Sequence, residues 1–291
     1  MLLKKTEIRG LIREFSLLEL FKNIKREQSM ENIEQMNTVS ISNEFNTNLL
    51  LNEQLHPIPI RIGIVAKEQE IYIQGRNLAN EMYAKIWDTK SLIDDNDFGI
   101  VVFCSGQVVG NVNLQIKHSE SNLLHSEIFF TQKHWQQYLD IPNGQLAEIS
   151  GLCVSDTVPQ SLSRPIIMGL VLGLHLLHNS LQIRYLTTVQ HEYLIRVLCK
   201  SLNLPFFCNE TITYPQGQVP DDGYWKRDKS PRIYYIDGYS ADTIKAVSSL
   251  FCYLNMVGYQ IHVEQKISPV NLSYTYFWSK WTANEISKIA F

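Results

Sequence analysis

The middle of the chain combines one carboxylate with a polar run that follows it closely. Glu148 is the only acidic or basic side chain in residues 147–154, a run that reads as a strand. The polar residues 160–164 come next, and a long apolar helix is predicted to begin at Pro165. A helix N-terminus presents unpaired N–H groups and a positive dipole end, which suit an anion such as the phosphate of a pantetheine-bearing acyl donor. The stretch therefore predicts an acyl-transfer site around Glu148.

The elements that must position this site follow from hydrophobic periodicity. Between residues 57 and 208 the pattern predicts the order strand, helix, hairpin, strand, helix, strand, helix, strand. The hairpin has the clearest signal, because two β-rich runs flank Ser105-Gly106. This order predicts an α/β fold with a mixed, twisted sheet flanked by helices. Ligands of open sheets bind where the chain reverses, which here is the end of the strand that carries Glu148.

Three segments are expected along the chain. Residues 1–56 read as an N-terminal helical extension and a polar linker, and residues 57–208 as the core. Residues 209–291 form a C-terminal α/β extension that is either a separate unit or a continuation of the same sheet.

Composition limits the classes of function. The 291 residues carry a formal net charge of −3, which gives no electrostatic footprint for nucleic acid. The five scattered cysteines are expected as free thiols in a reducing cytoplasm. The longest apolar segment, residues 165–177, is shorter than the roughly 20 residues of a membrane span. His175 and His178 have no nearby cysteine or carboxylate to complete a zinc site, so no metal is predicted. We therefore expect a cytoplasmic protein without a membrane span.

Three pieces of the chain resemble one superfamily. Residues 76–87 with the acidic loop 94–97 resemble an Arg-bearing first helix followed by spaced aspartates. Residues 107–114 resemble a hairpin element that contains Val-Val-Gly, and residues 147–154 resemble a core strand that begins Glu-Ile-Ser. Together they resemble the GNAT superfamily of N-acyltransferases, in particular its autoinducer-synthase and N-acyl amino acid synthase branch. The resemblance covers roughly residues 60–208 and implies the GNAT fold.

The resemblance implies transfer of a fatty acyl group from an acyl carrier protein or acyl-CoA thioester to a primary amine. The acceptor is a free amino acid, or a Lys or ornithine side chain of a peptide as in GNAT-like peptide-lipidating maturases. Glu148 is the candidate base. The alternative is that Glu148 is a structural carboxylate paired with an arginine. The backbone N–H of Cys153 or Val154 is the implied oxyanion donor. His191 and Tyr193 are candidates to face the donor sulfur. The alternative is that His191 only begins a helix and Tyr193 only packs in the core.

Binding residues are implied on both sides of the reaction. Those expected around the donor phosphate are Gln160, Ser161, Ser163 and Arg164, with an ordinary surface arginine as the alternative for Arg164. Those expected at the acceptor amine are Arg76, Asp94 and Asp97, although a solvated acidic loop would explain the aspartates equally well.

The sequence also departs from the family pattern. Gly151 and Asn113 occupy positions where the family carries arginine, and Ser163 and Pro165 stand where its phosphate loop carries glycine. These departures favour a donor carried on a protein over free coenzyme A. They also motivate an alternative, a catalytically inactive GNAT-like protein that binds acyl groups or a partner.

Overall fold

The computed structural model describes residues 58–90, 92–131, 133–136, 141, 144–227 and 229–265. The predicted N-terminal helix and linker lie outside the described residues. The strands are β1 (Ile58–Ala66), β2 (Phe98–Cys104), β3 (Gln107–Ile116), β4 (Leu146–Val154), β5 (Tyr185–Gln190), β6 (Phe207–Cys208), β7 (Arg232–Asp237) and β8 (Tyr259–Gln265). The helices are α1 (Glu70–Trp87), α2 (His125–Phe129), α3 (Gln160–Ser180), α4 (Glu192–Leu202) and α5 (Ala241–Met256).

All eight strands form one sheet in the order β6-β7-β5-β4-β3-β2-β1-β8. The pairs β4–β5 and β1–β8 are parallel and the other five pairs are antiparallel, so the predicted mixed sheet is confirmed. The hairpin between β2 and β3 turns at Ser105 and Gly106, both at positive φ, as a two-residue hairpin loop requires. Strands β7 and β8, from the C-terminal segment, belong to the same sheet, with β7 between β5 and β6 and β8 at the opposite edge.

Helices cover both faces of the sheet. α1 packs on β2, β3 and β4 on one face, while α3 packs on β1, β2 and β3 on the other. The Gly169–Gly173 step of α3 lies directly on the sheet, where a Cβ at Gly169 would be 3.3 Å from the side chains of Ile60 and Val102. These glycines thus permit close packing of helix on sheet. By length and composition alone, α3 is apolar enough to cross a membrane. However, 56% of its apolar stretch is buried inside the fold.

One predicted boundary is wrong. α3 begins at Gln160 and not at Pro165, so residues 160–164 are its first turn and not a polar loop. Pro165 is the sixth residue of α3, so it lacks the backbone N–H that would otherwise bond to the Ser161 carbonyl, and the helix continues without that bond. The loop between β4 and α3 is consequently short, residues 155–159, and contains Asp156 but no glycine.

The parallel pair β4–β5 separates soon after it begins. The two strands pair at Leu146–Tyr185, Ala147–Leu186 and Glu148–Thr187, and no further pair follows among the described residues although β4 continues to Val154. Beyond that point the Thr188 hydroxyl donates to the Ile149 carbonyl at 2.9 Å, where a strand backbone would otherwise bind. The sheet therefore opens in its centre, directly after Glu148.

Candidate active site

An apolar cavity lies on the α3 face of the opening. It encloses about 700 Å³, part of it open to solvent, between β4, β5 and helices α3, α4 and α5. Its wall is mostly aliphatic and aromatic, including Leu152, Leu170, Leu174, Leu194, Leu198 and Phe206. Such a space suits an acyl chain, because each buried methylene gains roughly 0.8 kcal/mol.

A second cavity, on the α1 face, is polar. It encloses about 710 Å³, again partly open, and its walls come from α1, α2, β4 and the loop that follows β6. Its ionisable or polar lining residues include Arg76, Tyr83, His125, Glu148, Asp222 and Tyr224. Ile149 and Gln190 line both cavities, so the two cavities adjoin at the opening between β4 and β5.

Glu148 lies at this junction and is 3% exposed. Its Oε2 accepts hydrogen bonds from the backbone N of Ser126 at 2.9 Å and from the Ser126 hydroxyl at 2.7 Å. Burial raises the pKa of Glu148 above its ordinary value, against the opposing effects of His125 and of the Ser126 hydrogen bonds. A carboxylate with a raised pKa beside a polar cavity is suited to accept a proton.

Arg76 is the buried cation of the polar cavity. Its Nη1 donates to Asn113 Oδ1 at 3.1 Å, and its Nη2 donates to the carbonyls of Leu92 and Ile93. Its Nε has no hydrogen-bond partner within the described chain and lies 3.8 Å from Asp94 Oδ1. A buried guanidinium that lines the cavity is able to bind an anionic group there.

Gly151 sits against this arginine at φ +61°, where β4 bulges. A Cβ at this position would be 2.7 Å from Asn113 Oδ1 and 3.3 Å from Arg76 Nη1. A side chain at residue 151 would therefore press on Asn113 and Arg76. The two departures at Gly151 and Asn113 belong to one packed cluster around Arg76.

Comparison with known proteins identifies the architecture. No family model matches the sequence, and no curated protein sequence matches it. The solved structure of BjaI, a CoA-dependent acyl-homoserine lactone synthase with SAM and isopentyl-CoA, superposes with a TM-score of 0.50 at 10% identity, covering 72% of this chain and 94% of that one. The chain has the GNAT fold. The AHL synthase LasI also matches, with a TM-score of 0.48, 14% identity, and coverage of 65% of this chain and 95% of that one.

Within the GNAT fold, only some of the predicted site residues come together. Glu148 and Arg76 line the same cavity. His191 caps the start of α4, stacks on Trp87 and bonds through Nε2 to the Tyr224 carbonyl at 2.9 Å. Burial lowers its pKa, and its ring is not part of either described cavity wall. Tyr193 stacks on His191 and is 37% exposed.

The predicted aspartates bind groups of the protein itself. Asp94 accepts from the hydroxyl of Tyr72 and from Asn96. Partial burial opposes ionisation of Asp94, but these bonds and the nearby Arg76 outweigh it and lower its pKa. Asp97 accepts from the backbone N of Ile116 at 2.7 Å and pairs with His118. Their bonds hold the loop against α1 and β3.

The predicted donor-side residues lie at the end of β4 and the start of α3. Cys153 and Val154 follow the point where β5 leaves β4. Burial raises the pKa of the Cys153 thiol to about 12, so it is a poor nucleophile. Gln160 and Ser161 are exposed in the first turn of α3, while Ser163 and Arg164 are half-buried. The Arg164 guanidinium lies 5.0 Å from the Tyr253 ring centre.

Several residues of the site carried no signal in the sequence. Ser126 and His134 come from the segment between β3 and β4, and Asp222 and Tyr224 come from the loop before β7. The Tyr224 hydroxyl donates to the Val189 carbonyl at 2.7 Å and so closes the polar cavity against β5. Only the tertiary fold brings these loops to β4, and isolated polar residues in loops have no periodicity to reveal them.

Proposed function

We propose that the protein is an N-acyltransferase that moves a fatty acyl group from an acyl-thioester donor to the amine of a small acceptor. The observation that carries this proposal is that an apolar and a polar cavity adjoin at the opening between β4 and β5, with Glu148 in the wall of the polar one. Acyl transfer needs a dry place for the chain, a polar place for the amine and a base where they meet. The architecture it shares with the GNAT fold supports the same assignment.

The donor is an acyl group on a pantetheine arm, with the chain in the apolar cavity and the phosphate near the start of α3. Gln160, Ser161, Ser163 and Arg164 are the candidate contacts of that phosphate. Asp156 adds a carboxylate to the short loop before α3, and the loop has no glycine to let the backbone approach a diphosphate. We therefore favour the single phosphate of an acyl carrier protein over coenzyme A.

The acceptor is a free amino acid in this proposal. Its carboxylate would bind the buried guanidinium of Arg76, and its amine would lie at Glu148 across the same cavity. A peptide lysine or ornithine side chain is the other acceptor that the polar cavity could admit, since the cavity is partly open. Such a side chain has no carboxylate for Arg76, which separates the two acceptors experimentally.

The reaction balances with the groups present. The neutral amine nitrogen attacks the thioester carbonyl carbon, the C–N bond forms, and the C–S bond breaks. The amine proton passes to Glu148, whose raised pKa allows it to hold that proton and return one to the departing thiolate. Backbone N–H groups of Cys153 or Val154 are the candidate donors to the oxyanion. His191 and Tyr193 stay candidates at the sulfur, reached only if the aromatic stack on Trp87 rearranges.

The first experiment incubates the purified protein with acyl carrier protein and CoA thioesters, pooled amino acids and basic peptides, followed by mass spectrometry. We expect an acyl-amide product, formed faster from the carrier-protein donor. Glu148→Gln should lower kcat by about 10²- to 10⁴-fold because it removes the proton acceptor. Full activity in this variant would exclude Glu148 as the base.

Arg76 tests the nature of the acceptor. Arg76→Gln should raise the KM for an amino acid but leave the KM for the corresponding decarboxylated amine unchanged. Arg184→Gln is the matched control, because Arg184 forms an exposed ion pair with Asp237 away from both cavities. An equal rise for both acceptors would show that Arg76 does not bind a carboxylate.

The alternative function is a catalytically inactive protein that binds acyl groups. The observation that favours it is the loop between β4 and α3, which lacks glycine and contains Asp156. Thioesters that co-purify with the protein, or bind tightly without turnover across a broad amine panel, would support this alternative and refute the transferase.

A further inference from the structure

A chain of hydrogen-bonded side chains runs from Glu148 into the core on the α1 face. Ser126 Oγ lies 2.7 Å from Glu148 Oε2, and His134 Nε2 lies 2.9 Å from Ser126 Oγ. His134 Nδ1 lies 2.5 Å from the hydroxyl of Tyr235 on β7. All four residues are buried, with exposures between 0% and 3%. The reaction proposed above uses only the first of them.

A buried ion pair holds Ser126 in place. Glu127 is the next residue of α2, and both of its carboxylate oxygens accept from Lys117 Nζ, at 3.1 and 2.8 Å. Glu127 also accepts from the backbone N of Leu124. Lys117 and Glu127 are 2% and 4% exposed, so breaking the pair would leave an uncompensated buried charge. This pair fixes α2, and through it the position of Ser126 relative to β4.

The chemistry of the groups gives the chain a direction. An ionised carboxylate only accepts hydrogen bonds, so the Ser126 hydroxyl hydrogen points to Glu148. His134 Nε2 must then carry the hydrogen that Ser126 Oγ accepts, which leaves Nδ1 to accept from Tyr235. The His134 carbonyl already accepts from Asn209 at 2.9 Å and is 3.2 Å from the Tyr235 hydroxyl, so Nδ1 is the nearer acceptor for that hydroxyl.

His134 stays uncharged in this chain. Burial lowers its pKa to about 3, and the positive charge of Lys117 acts in the same direction. Near neutral pH His134 is therefore in one of two neutral tautomers, and its hydrogen bonds with Ser126 and Tyr235 favour the Nε2–H form.

The two oxygens of Glu148 are consequently different. Oε2 receives two donors from Ser126, while Oε1 has no hydrogen bond to the described residues and belongs to a side chain that lines the polar cavity. We propose that Ser126, His134 and Tyr235 are positioning residues that keep Oε2 as a permanent acceptor, so that Oε1 takes the amine proton. This inference rests on the proposed function for the source of the proton, but the direction of the chain stands without it.

The first test measures the tautomer and needs no turnover. Two- and three-bond ¹H–¹⁵N correlation spectra of the full chain, assigned with His134→Gln, report which ring nitrogen of His134 carries hydrogen. We expect the Nε2–H form from pH 5 to 9, unchanged while Glu148 titrates. An Nδ1–H form, or a switch between forms as Glu148 takes up its proton, would overturn the proposal, because Ser126 would then donate to His134.

The second test removes the hydroxyl and keeps the backbone donor. Ser126→Ala should raise the pKa of Glu148 by about one unit, measured from the ¹³C shift of its carboxyl carbon, since one donor to the charged form is lost. The acid limb of kcat/KM should move to higher pH by the same amount, and Ser126→Thr should restore both. An unchanged Glu148 titration in a folded Ser126→Ala protein would refute the role of the hydroxyl.

A matched control removes a different buried hydroxyl. Thr187 pairs with Glu148 across β4 and β5, but its hydroxyl donates to the Tyr234 carbonyl and lies outside the chain. Thr187→Val should leave the Glu148 titration where it is. The other titratable or charged groups that face Glu148 are His125, Glu127, Arg76, Tyr83, Asp222 and Tyr224, and all of them are retained in both variants. Absence of acyl transfer with an Nε2–H tautomer would count against the proposed function alone.

Discussion

Replacing Gly151 by alanine tests the cluster that holds Arg76. Gly151 has φ +61°, which costs an alanine about 1–2 kcal/mol. The new Cβ would also lie 2.7 Å from Asn113 Oδ1, the atom that accepts the hydrogen bond of Arg76 at 3.1 Å. Displacing Asn113 removes a buried bond to a charged donor, worth roughly 1.5–3 kcal/mol. We expect Gly151→Ala to lower the free energy of unfolding by about 3–4 kcal/mol.

The control is another glycine at positive φ with open space around it. Gly106 has φ +80° in the β2–β3 turn, and a Cβ there would have no atom within 4 Å. Gly106→Ala should therefore cost only the backbone contribution of about 1–2 kcal/mol. Urea unfolding of both variants gives the two losses of unfolding free energy, provided that the dependence on urea concentration is unchanged. Their difference, about 2 kcal/mol, is the contribution of the contact with Asn113.

The same variant should affect the proposed reaction. If Arg76 binds the acceptor carboxylate, its displacement in Gly151→Ala should raise the KM for amino acids, while Gly106→Ala should not. Equal losses of stability in the two variants would refute the reasoning, because the cluster of Gly151, Asn113 and Arg76 would then contribute nothing beyond backbone strain.

Three further outcomes follow from the packing and the buried histidines. Leu194→Trp should fill part of the apolar cavity and shorten the longest acyl chain accepted, with affinity falling about fourfold per excluded methylene, measured by competition among thioesters of graded length. Burial lowers the pKa values of His175 and His178 to about 3 and 4, so the unfolded chain binds more protons than the folded one below about pH 6.5. The free energy of unfolding should therefore fall as pH drops from 6.5 towards 4. His175→Gln should weaken that pH dependence by up to about 1.4 kcal/mol per pH unit. An unaltered pH dependence in this variant would contradict the lowered pKa of His175. Gly173→Ala should destabilise the protein by roughly 1–3 kcal/mol more than Gly169→Ala, measured by thermal or urea unfolding. A Cβ at Gly173 would overlap Ile100 and lie 2.9 Å from Ile62, whereas the nearest atoms to a Cβ at Gly169 are 3.3 Å away. Equal effects of the two substitutions would refute this reasoning.

The sequence determined the local elements and their order. The two β-rich runs and the Ser105-Gly106 turn between them predicted the β2–β3 hairpin, which the structure confirms. These features depend on neighbours within a few residues, so periodicity and turn chemistry are sufficient to reveal them. The single carboxylate of residues 147–154 likewise indicated Glu148 as a candidate from the sequence alone.

Only the tertiary structure decided how the site is built. The opening between β4 and β5 depends on where two strands stop pairing, and that depends on packing from α1, α3 and the loops. Ser126 bonds directly to Glu148, and His134 links Ser126 to Tyr235, because α2 and β7 fold onto the same face although they are far apart in sequence. The start of α3 at Gln160 was missed because proline normally marks the first turn of a helix, whereas here it occupies the sixth position. Long-range contacts of this kind leave no local pattern, so a single sequence cannot reveal them.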